Sequence, residues 1–267
     1  MDGPVSTEVV LSGSGLSFSY PNGKPIFTGV NLNVRPREIV CLLGGSGCGK
    51  STLLKVLAGL ESPTAGDRSF LGTPLAGPHP RSALVFQQPS LLPWLDVAGN
   101  VGFGLDFKHQ PQITAVERQQ RIAQAIEAVG LQGRAQAFPA QLSGGMAQRV
   151  ALGRALARQP ELLFADEPFS ALDAITRAEM QLLLVDLVQR WHTAVLLVTH
   201  DIDEAILTAD RIVLMSGQPG RIQHEWQVDL PRPRDADPQA FAALKLDILA
   251  ALRSSRGTLP LPSGEHR

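Results

Sequence analysis

The chain has 267 residues, of which 44% are hydrophobic, with a mean hydropathy of +0.04 and a formal net charge of −1. That length and composition support an ample folded core in one large domain or two small ones, and exclude general disorder. The near-neutral charge without a basic run excludes a mainly electrostatic nucleic-acid binder, and apolar runs of about five residues fall far short of the ~18–20 that span a bilayer.

The first fifteen residues carry neither a basic n-region nor an apolar h-region, so no signal peptide is read and the chain is expected in the cytoplasm. Residues 8–20 and 26–34 read as short strands, with a turn at Pro21-Asn22-Gly23. Tyr20, the single tyrosine, closes the first of them.

The next apolar run, Ile39 to Leu43, leads into Gly44-Gly45-Ser46-Gly47-Cys48-Gly49-Lys50-Ser51-Thr52 and then into a helical segment, Leu53 to Ala58. Gly44, Gly49, Lys50 and Ser51 meet the pattern G-x-x-x-x-G-K-[ST] in the strand–loop–helix setting it requires. A triphosphate needs many N–H donors converging on one concave spot, and glycines leave that approach unblocked. The helix start adds unpaired N–H groups and a positive dipole end. Lys50 brings a full charge to the β/γ oxygens, and the Ser51 hydroxyl is a ligand for Mg2+.

The two cysteines, Cys41 and Cys48, have neither zinc-type spacing nor a disulfide framework. Cys48 stands beside the helix N-terminus, which predicts a lowered thiol pKa, inactivation by alkylation and protection by ATP.

Glu61 to Gly66 breaks the helix, Asp67 to Leu71 is extended, and Ser82 to Phe86 reads as a buried strand that delivers Gln87 to its C-terminal end. From about Pro89 to Gln159 helical periodicity replaces strand patterns, over Val97–Gly104, Val116–Val129 and Met146–Arg158. Within this insertion Ser143-Gly144-Gly145 precedes the last helix. Ser143 can cap that helix, and the triplet repeats the anion-binding logic of the phosphate loop.

Strand character returns at Leu162 to Ala165 and ends in Asp166-Glu167-Pro168. An apolar run ending in two acids predicts a buried parallel strand presenting carboxylates at the sheet's C-terminal edge. Asp166 is placed to help hold Mg2+, and Glu167 to accept a proton from an attacking water, which is worth ~10²–10⁴ in rate. After Ser170-Ala171-Leu172-Asp173 and a helix from about Arg177 to Trp191, the run Ala194 to Val198 ends in Thr199-His200-Asp201. His200 is thereby expected at the same edge as Gln87, Asp166 and Glu167. A helix at Ile202–Thr208, a strand at Arg211–Met215, a turn at Ser216 to Gly220, an extended linker at Pro231 to Arg234, a helix at Gln239–Leu252 and a loose tail close the chain.

Taken together, GGSGCGKS, VFQQ, LSGGM at 142–146, LLFADEP at 162–168, SALD at 170–173 and VTHD resemble, in motif and order, the ATP-binding subunit of ATP-binding-cassette transporters over roughly residues 8 to 252. The resemblance implies an α/β fold: a P-loop NTPase with a RecA-like parallel sheet core, an N-terminal antiparallel β subdomain and an inserted α-helical subdomain. It divides the chain into an ATP-binding core at 8–88 and 161–230, a helical subdomain at 89–160, and a linker, helix and tail at 231–267.

It further implies ATP and Mg2+ as ligands, with Tyr20 stacking on adenine and Gln87 touching Mg2+ and the attacking water. Glu167 would be the catalytic base and His200 the γ-phosphate contact. Ser143 and Gly145, with Gly144 between them, would bind ATP held by a second copy, so the resemblance implies a homodimer with Asp173 at its interface. Permease subunits in the membrane and, indirectly, an extracytoplasmic substrate-binding protein are the implied partners, with the chain peripheral at the cytoplasmic face of the inner membrane and no nucleic acid bound.

SLLPWLDVAGNV at 90–101, MSGQPGRI at 215–222 and DLPRPRD at 229–235 are similar to the nitrate, sulfonate, taurine and bicarbonate importers. Met146 departs from the glutamine usual after Ser-Gly-Gly, with little loss of activity expected. A soluble cassette ATPase outside transport would carry a long coiled-coil insert or a second cassette, and a non-hydrolysing subunit would lack Glu167 or His200; neither description fits this sequence.

Overall fold

The computed structural model describes residues 9–255. The strand start read at Glu8, the leader reading of the first residues and the tail beyond Ser255 lie outside the described residues.

From the N-terminal side, β1 (Leu11–Ser19) and β2 (Pro25–Val34) pair antiparallel, and β3 (Ile39–Leu43) runs through the phosphate loop into α1 (Lys50–Leu57). β4 (Ala65–Phe70), β5 (Thr73–Pro74) and β6 (Ser82–Val85) follow, then the helices α2 (Val97–Val101), α3 (Ala115–Ala128) and α4 (Gly144–Ala157). The remainder alternates: β7 (Leu162–Asp166), α5 (Ala174–Trp191), β8 (Ala194–Thr199), α6 (Ile202–Thr208), β9 (Arg211–Ser216), β10 (Arg221–Gln227) and α7 (Pro238–Ser255).

Two sheets result, one of order β2-β1-β4-β5 and one of order β10-β9-β3-β8-β7-β6. In the larger sheet β9, β3, β8, β7 and β6 are mutually parallel, and only β10 is antiparallel. This is the α/β fold expected. Its central strands are buried on both faces, and their period of two divides the interior into two cores. Ile39, Cys41 and Leu43 of β3 pack among α2 to α6, whereas Val40 and Leu42 pack against α1 and the smaller sheet. Leu163 and Ala165 of β7 join the first core, Leu162 and Phe164 the second.

Helix starts follow their caps. The Ser143 hydroxyl accepts from Met146 N and the Asp173 carboxylate from Thr176 N, so α4 and α5 begin two and three residues earlier than periodicity alone places them. A side-chain oxygen that satisfies an orphan donor fixes the first turn before any apolar position does.

Two elements differ from expectation. Arg221–Gln227 forms an edge strand, β10, whose mostly exposed RIQHEWQ sequence carries little apolar alternation. The stretch at 231–234, expected as an extended linker, is held down by its arginines. Arg232 donates to Thr208 O at 2.8 Å and to Asp210 Oδ1 at 2.9 Å, and Arg234 donates to Ile206 O at 2.7 Å and to Ala209 O. These carbonyls lie at the C-terminal end of α6, where helical acceptors lack partners. Burial, with Arg232 nearby, pulls the Arg234 guanidinium down to about 10, which leaves it charged at neutral pH.

Candidate nucleotide site

The site forms where β3, β7 and β8 end side by side. Gly49 is the N-cap of α1 at φ 98°, a left-handed conformation that a side chain would strain. This bend lets α1 start beneath the loop with its N–H groups directed into it. Lys50 is 5% exposed, and its ammonium donates to the Gly44 carbonyl at 2.8 Å and the Gly45 carbonyl at 3.0 Å. A buried cation is thereby kept solvated by the loop that surrounds it.

Ser51 Oγ donates to Asp166 Oδ1 at 2.8 Å, joining two residues 115 positions apart. Burial raises the Asp166 pKa, opposed by the Ser51 hydrogen bond. A hydroxyl and a carboxylate beside a phosphate loop are hard oxygen donors suited to Mg2+, which takes one or two protein oxygens and completes its shell with phosphate and water. Among the described residues no group of three or more His, Cys, Asp or Glu forms an all-protein metal cage, so the donor set matches that sparse pattern.

Glu167 follows at φ 46°, left-handed for a residue with a side chain, a conformation that costs about 1–3 kcal/mol. Its N–H donates to Val198 O at 2.9 Å, and its carbonyl accepts from Ser170 Oγ at 2.9 Å. These bonds turn the chain out of the sheet and direct the Glu167 side chain to the neighbouring strand's end. There Oε2 lies 3.2 Å from Nδ1 of His200, which is the first residue after β8.

Other predicted positions take separate places. Gln87 is exposed two residues beyond β6, on the strand next to β7. Tyr20 is 45% exposed beyond β1 of the smaller sheet, with Phe18 edge-on at 5.0 Å. Ser143, Gly144 and Gly145 open α4; Ser143 caps it through Met146 N, open space surrounds Gly144, and Gly145 faces α5, where a Cβ would collide with Thr176 Cγ2. Thr176 also donates through Oγ1 to Asp173 Oδ2 at 2.7 Å, and its hydrogen bonds hold the Asp173 pKa below the usual carboxylate value.

The expectation for Cys48 is corrected. Its side chain is 6% exposed, and burial raises the thiol pKa against the opposing pull of Lys50 and nearby backbone N–H groups. Proximity to a helix start lowers a thiol's pKa only where the thiolate can be solvated, and Cys48 instead packs in the second core, where burial disfavours the thiolate.

The family model described as ABC transporter matches residues 27–170, a little over half of the chain. The chain belongs to the ABC transporter family. As a member of it, this ATP-binding cassette is a transport ATPase. It is 47% identical over 250 residues to the aliphatic sulfonates import ATP-binding protein SsuB 1 of Xanthomonas axonopodis pv. citri, covering 91% of this chain and 98% of that one. It is 43% identical over 252 residues to the corresponding SsuB protein of Pseudomonas putida, covering 94% and 89%.

Among solved structures, cbiO1 of Clostridium perfringens, part of the ABC transporter complex cbiONQ, superposes with a TM-score of 0.77 at 26% identity, over 90% of this chain and 95% of that one. The dimeric cassette MJ0796, in a post-hydrolysis state bound to ADP and Pi, gives 0.70 at 31% identity, over 82% and 98%.

Sequence patterns missed the residues that tie the cassette's helices to its sheet edge. Gln148, 2% exposed on α4, donates to Phe86 O at 3.1 Å, immediately before Gln87. Arg154 donates to the carbonyls of Pro89 and Ser90 at 2.9 and 3.0 Å. A glutamine and an arginine among the small and apolar residues of a helix were the available signal, but their acceptors are backbone atoms more than sixty positions away. Met146, the departure from the family pattern, packs partly buried against the first core and supplies only its N–H to the Ser143 cap.

Proposed function

We propose that this cassette hydrolyses ATP at the edge of its central sheet to drive import of aliphatic sulfonates through membrane-embedded permease subunits. The observation that carries the hydrolytic part is the meeting of Lys50 in its loop, the Ser51–Asp166 pair and the Glu167–His200 pair at adjoining strand ends. The choice of cargo is supported by relatives named for aliphatic sulfonate import that align over nearly the whole chain; taurine and nitrate are the neighbouring oxyanions.

In this reading residues 8–88 and 161–230 are the ATP-binding core, and 89–160 carry the signature. The residues Gly44 to Thr52 hold the triphosphate through loop N–H groups and the Lys50 ammonium, and Tyr20 stacks on the adenine. Ser51, Asp166 and Gln87 hold Mg2+, which when bound supplies charge neutralisation on the phosphates. The Glu167 carboxylate takes the proton of the attacking water, Gln87 orients that water, and His200, in contact with Glu167, meets the γ-phosphate.

Two copies face each other so that Ser143, Gly144 and Gly145 of one close over ATP on the other, with Asp173 at the junction. The dimeric cassette among the similar structures supports this arrangement. The dimer lies on the cytoplasmic face of the membrane, and an extracytoplasmic binding protein delivers the cargo. Among the described residues no helix is long and apolar enough to cross a membrane, which is consistent with partners providing the path.

The test is uptake of labelled alkanesulfonate, taurine and nitrate in the native cells, with the wild-type chain or Lys50→Ala at equal expression. Loss of alkanesulfonate uptake alone is expected. Retention of all three uptakes with the variant would overturn the transport reading for these cargoes.

A further inference from the structure

The turn from Ser216 to Gly220 joins β9 to the edge strand β10 and has no part in the chemistry above, yet it forms the back wall of the phosphate loop. A Cβ on Gly44 would run into the Met215 carbonyl oxygen, and a Cβ on Gly220 would run into the Cys48 carbonyl oxygen. Both obstacles are backbone atoms, which no rotamer change can move aside. Met215 Cε would stand 3.4 Å from a Cβ on Gly49, and Gln218 Nε2 3.6 Å from one on Gly47. The loop therefore rests on the end of β9 at Gly44 and Gly49 and on this turn at Gly47 and Cys48.

The turn is fixed in its own right from two other directions. The Gly220 N–H donates to Ile26 O at 2.8 Å and the Thr28 N–H donates to Gly220 O at 3.1 Å, which tie it to β2. Ser216 Oγ donates to Ser255 O at 3.3 Å, which ties it to the end of α7. Gly220 is not among the glycines at positive φ. A side chain there is unfavourable for what it would meet, the Cys48 carbonyl oxygen first and the movable end of the Met215 side chain second.

We infer that Gly220 is a positioning residue for the nucleotide: by allowing the turn to close against Cys48, it sets the place of the phosphate loop and hence its affinity for ATP. Converging N–H donors tolerate little displacement, because hydrogen bonds weaken steeply outside a narrow range of distance and angle. A methyl group at 220 pushes the Cys48 carbonyl, and with it the loop, out of register. This inference rests on the reading that the loop binds ATP.

The experiment compares wild type, Gly220→Ala and, as a control, Gly72→Ala. Gly72 has φ +76° and open space within 4 Å of where a Cβ would stand, so its variant adds backbone strain away from the loop. Gly220→Ala is expected to raise KM for ATP on the order of tenfold more than it lowers kcat. It is also expected to make the Cys48 thiol reactive towards a maleimide, with Mg-ATP suppressing the labelling. Cys41, at 0% exposure, stays silent and leaves the signal assignable. Gly72→Ala is expected to change neither readout.

A folded Gly220→Ala variant with wild-type KM and an unreactive Cys48 would overturn the positioning role while leaving the ATP-binding reading intact. A wild-type chain that fails to bind ATP would instead overturn the reading beneath it. If Gly220→Ala does not fold, hydrogen exchange on the wild type decides the matter. Mg-ATP is expected to slow the Gly220 amide together with the loop amides, and no change across 216–220 overturns the role.

Discussion

The two ends of the central sheet hold their acids in opposite ways. At the N-terminal edge Glu38, just before β3, faces Arg211 at 2.8 Å with both side chains more than nine-tenths buried. Asp210 accepts from Ile39 N at 2.9 Å and from Arg232 at 2.9 Å, and Glu161 pairs with Arg81. At the C-terminal edge Asp166 has a serine hydroxyl for its partner and Glu167 a histidine, and the arginine contact there, Arg177 to Asp201, is a longer 3.7 Å between partly exposed side chains. The left-handed Glu167 backbone lies at this second edge as well.

Arginine is permanently charged and locks a carboxylate into a fixed geometry. A hydroxyl or an imidazole leaves the carboxylate able to exchange partners or accept a proton. The first edge therefore contributes to stability, and the second, built from the same strands, is arranged for reaction.

The largest expected effect tests that difference from the reactive side. Glu167→Gln should lower ATP turnover by ~10²–10⁴, the range of general-base catalysis, while retaining ATP and accumulating the ATP-bound dimer. Steady-state hydrolysis beside equilibrium binding measures this, and turnover at the wild-type rate would remove Glu167 from the step.

Arg211→Ala breaks the comparison from the other side. Removing one partner of a buried ion pair costs about 3–5 kcal/mol because the remaining charge is stranded. Urea unfolding should show that loss while turnover per folded molecule stays at the wild-type level. A stability change below ~1 kcal/mol would mean that this edge is not the stabilising one.

Glu204 sharpens the boundary between the two. It lies in the first turn of α6 behind His200, 4% exposed, with Oε1 lacking a hydrogen-bond partner and Oε2 only 3.4 Å from Gln181 Nε2. Burial lifts its pKa from the ordinary 4.5 to about 7, with Asp201 adding to the rise and Thr199, Gln181 and Arg177 opposing it. Between those values the folded chain keeps a proton that the unfolded chain has released, so this group's contribution to stability declines as pH rises from 4.5 to 7 and then levels off. The decline is on the order of 3 kcal/mol. Glu204→Gln should flatten it, so that the variant gains on wild type between pH 5 and 8 in urea unfolding; parallel curves would place the proton elsewhere.

What could be read along the chain was whatever is local to it. The phosphate loop is a contiguous stretch in which glycines, a lysine and a serine state their chemistry together. The buried strands announce themselves as short apolar runs that end in polar residues. Helix starts were less legible, because the Ser143 and Asp173 caps act two to three residues before the periodic apolar positions begin. For Cys48 the local rule pointed the wrong way, since the helix terminus is visible in sequence and the burial that outweighs it is not.

The amino-acid order by itself determined the parallel α/β core, the helical insertion and the residue types gathered at its edge, because hydrophobic period and motif spacing are properties of adjacent positions. Only the tertiary structure decided which of those residues meet. Ser51 reaches Asp166 across 115 positions, Glu38 reaches Arg211 across 173, and Gly220 backs Cys48 from the turn after β9, the strand paired with β3. Such pairings depend on strand order and on backbone packed to van der Waals contact, which no short-range pattern along a chain encodes.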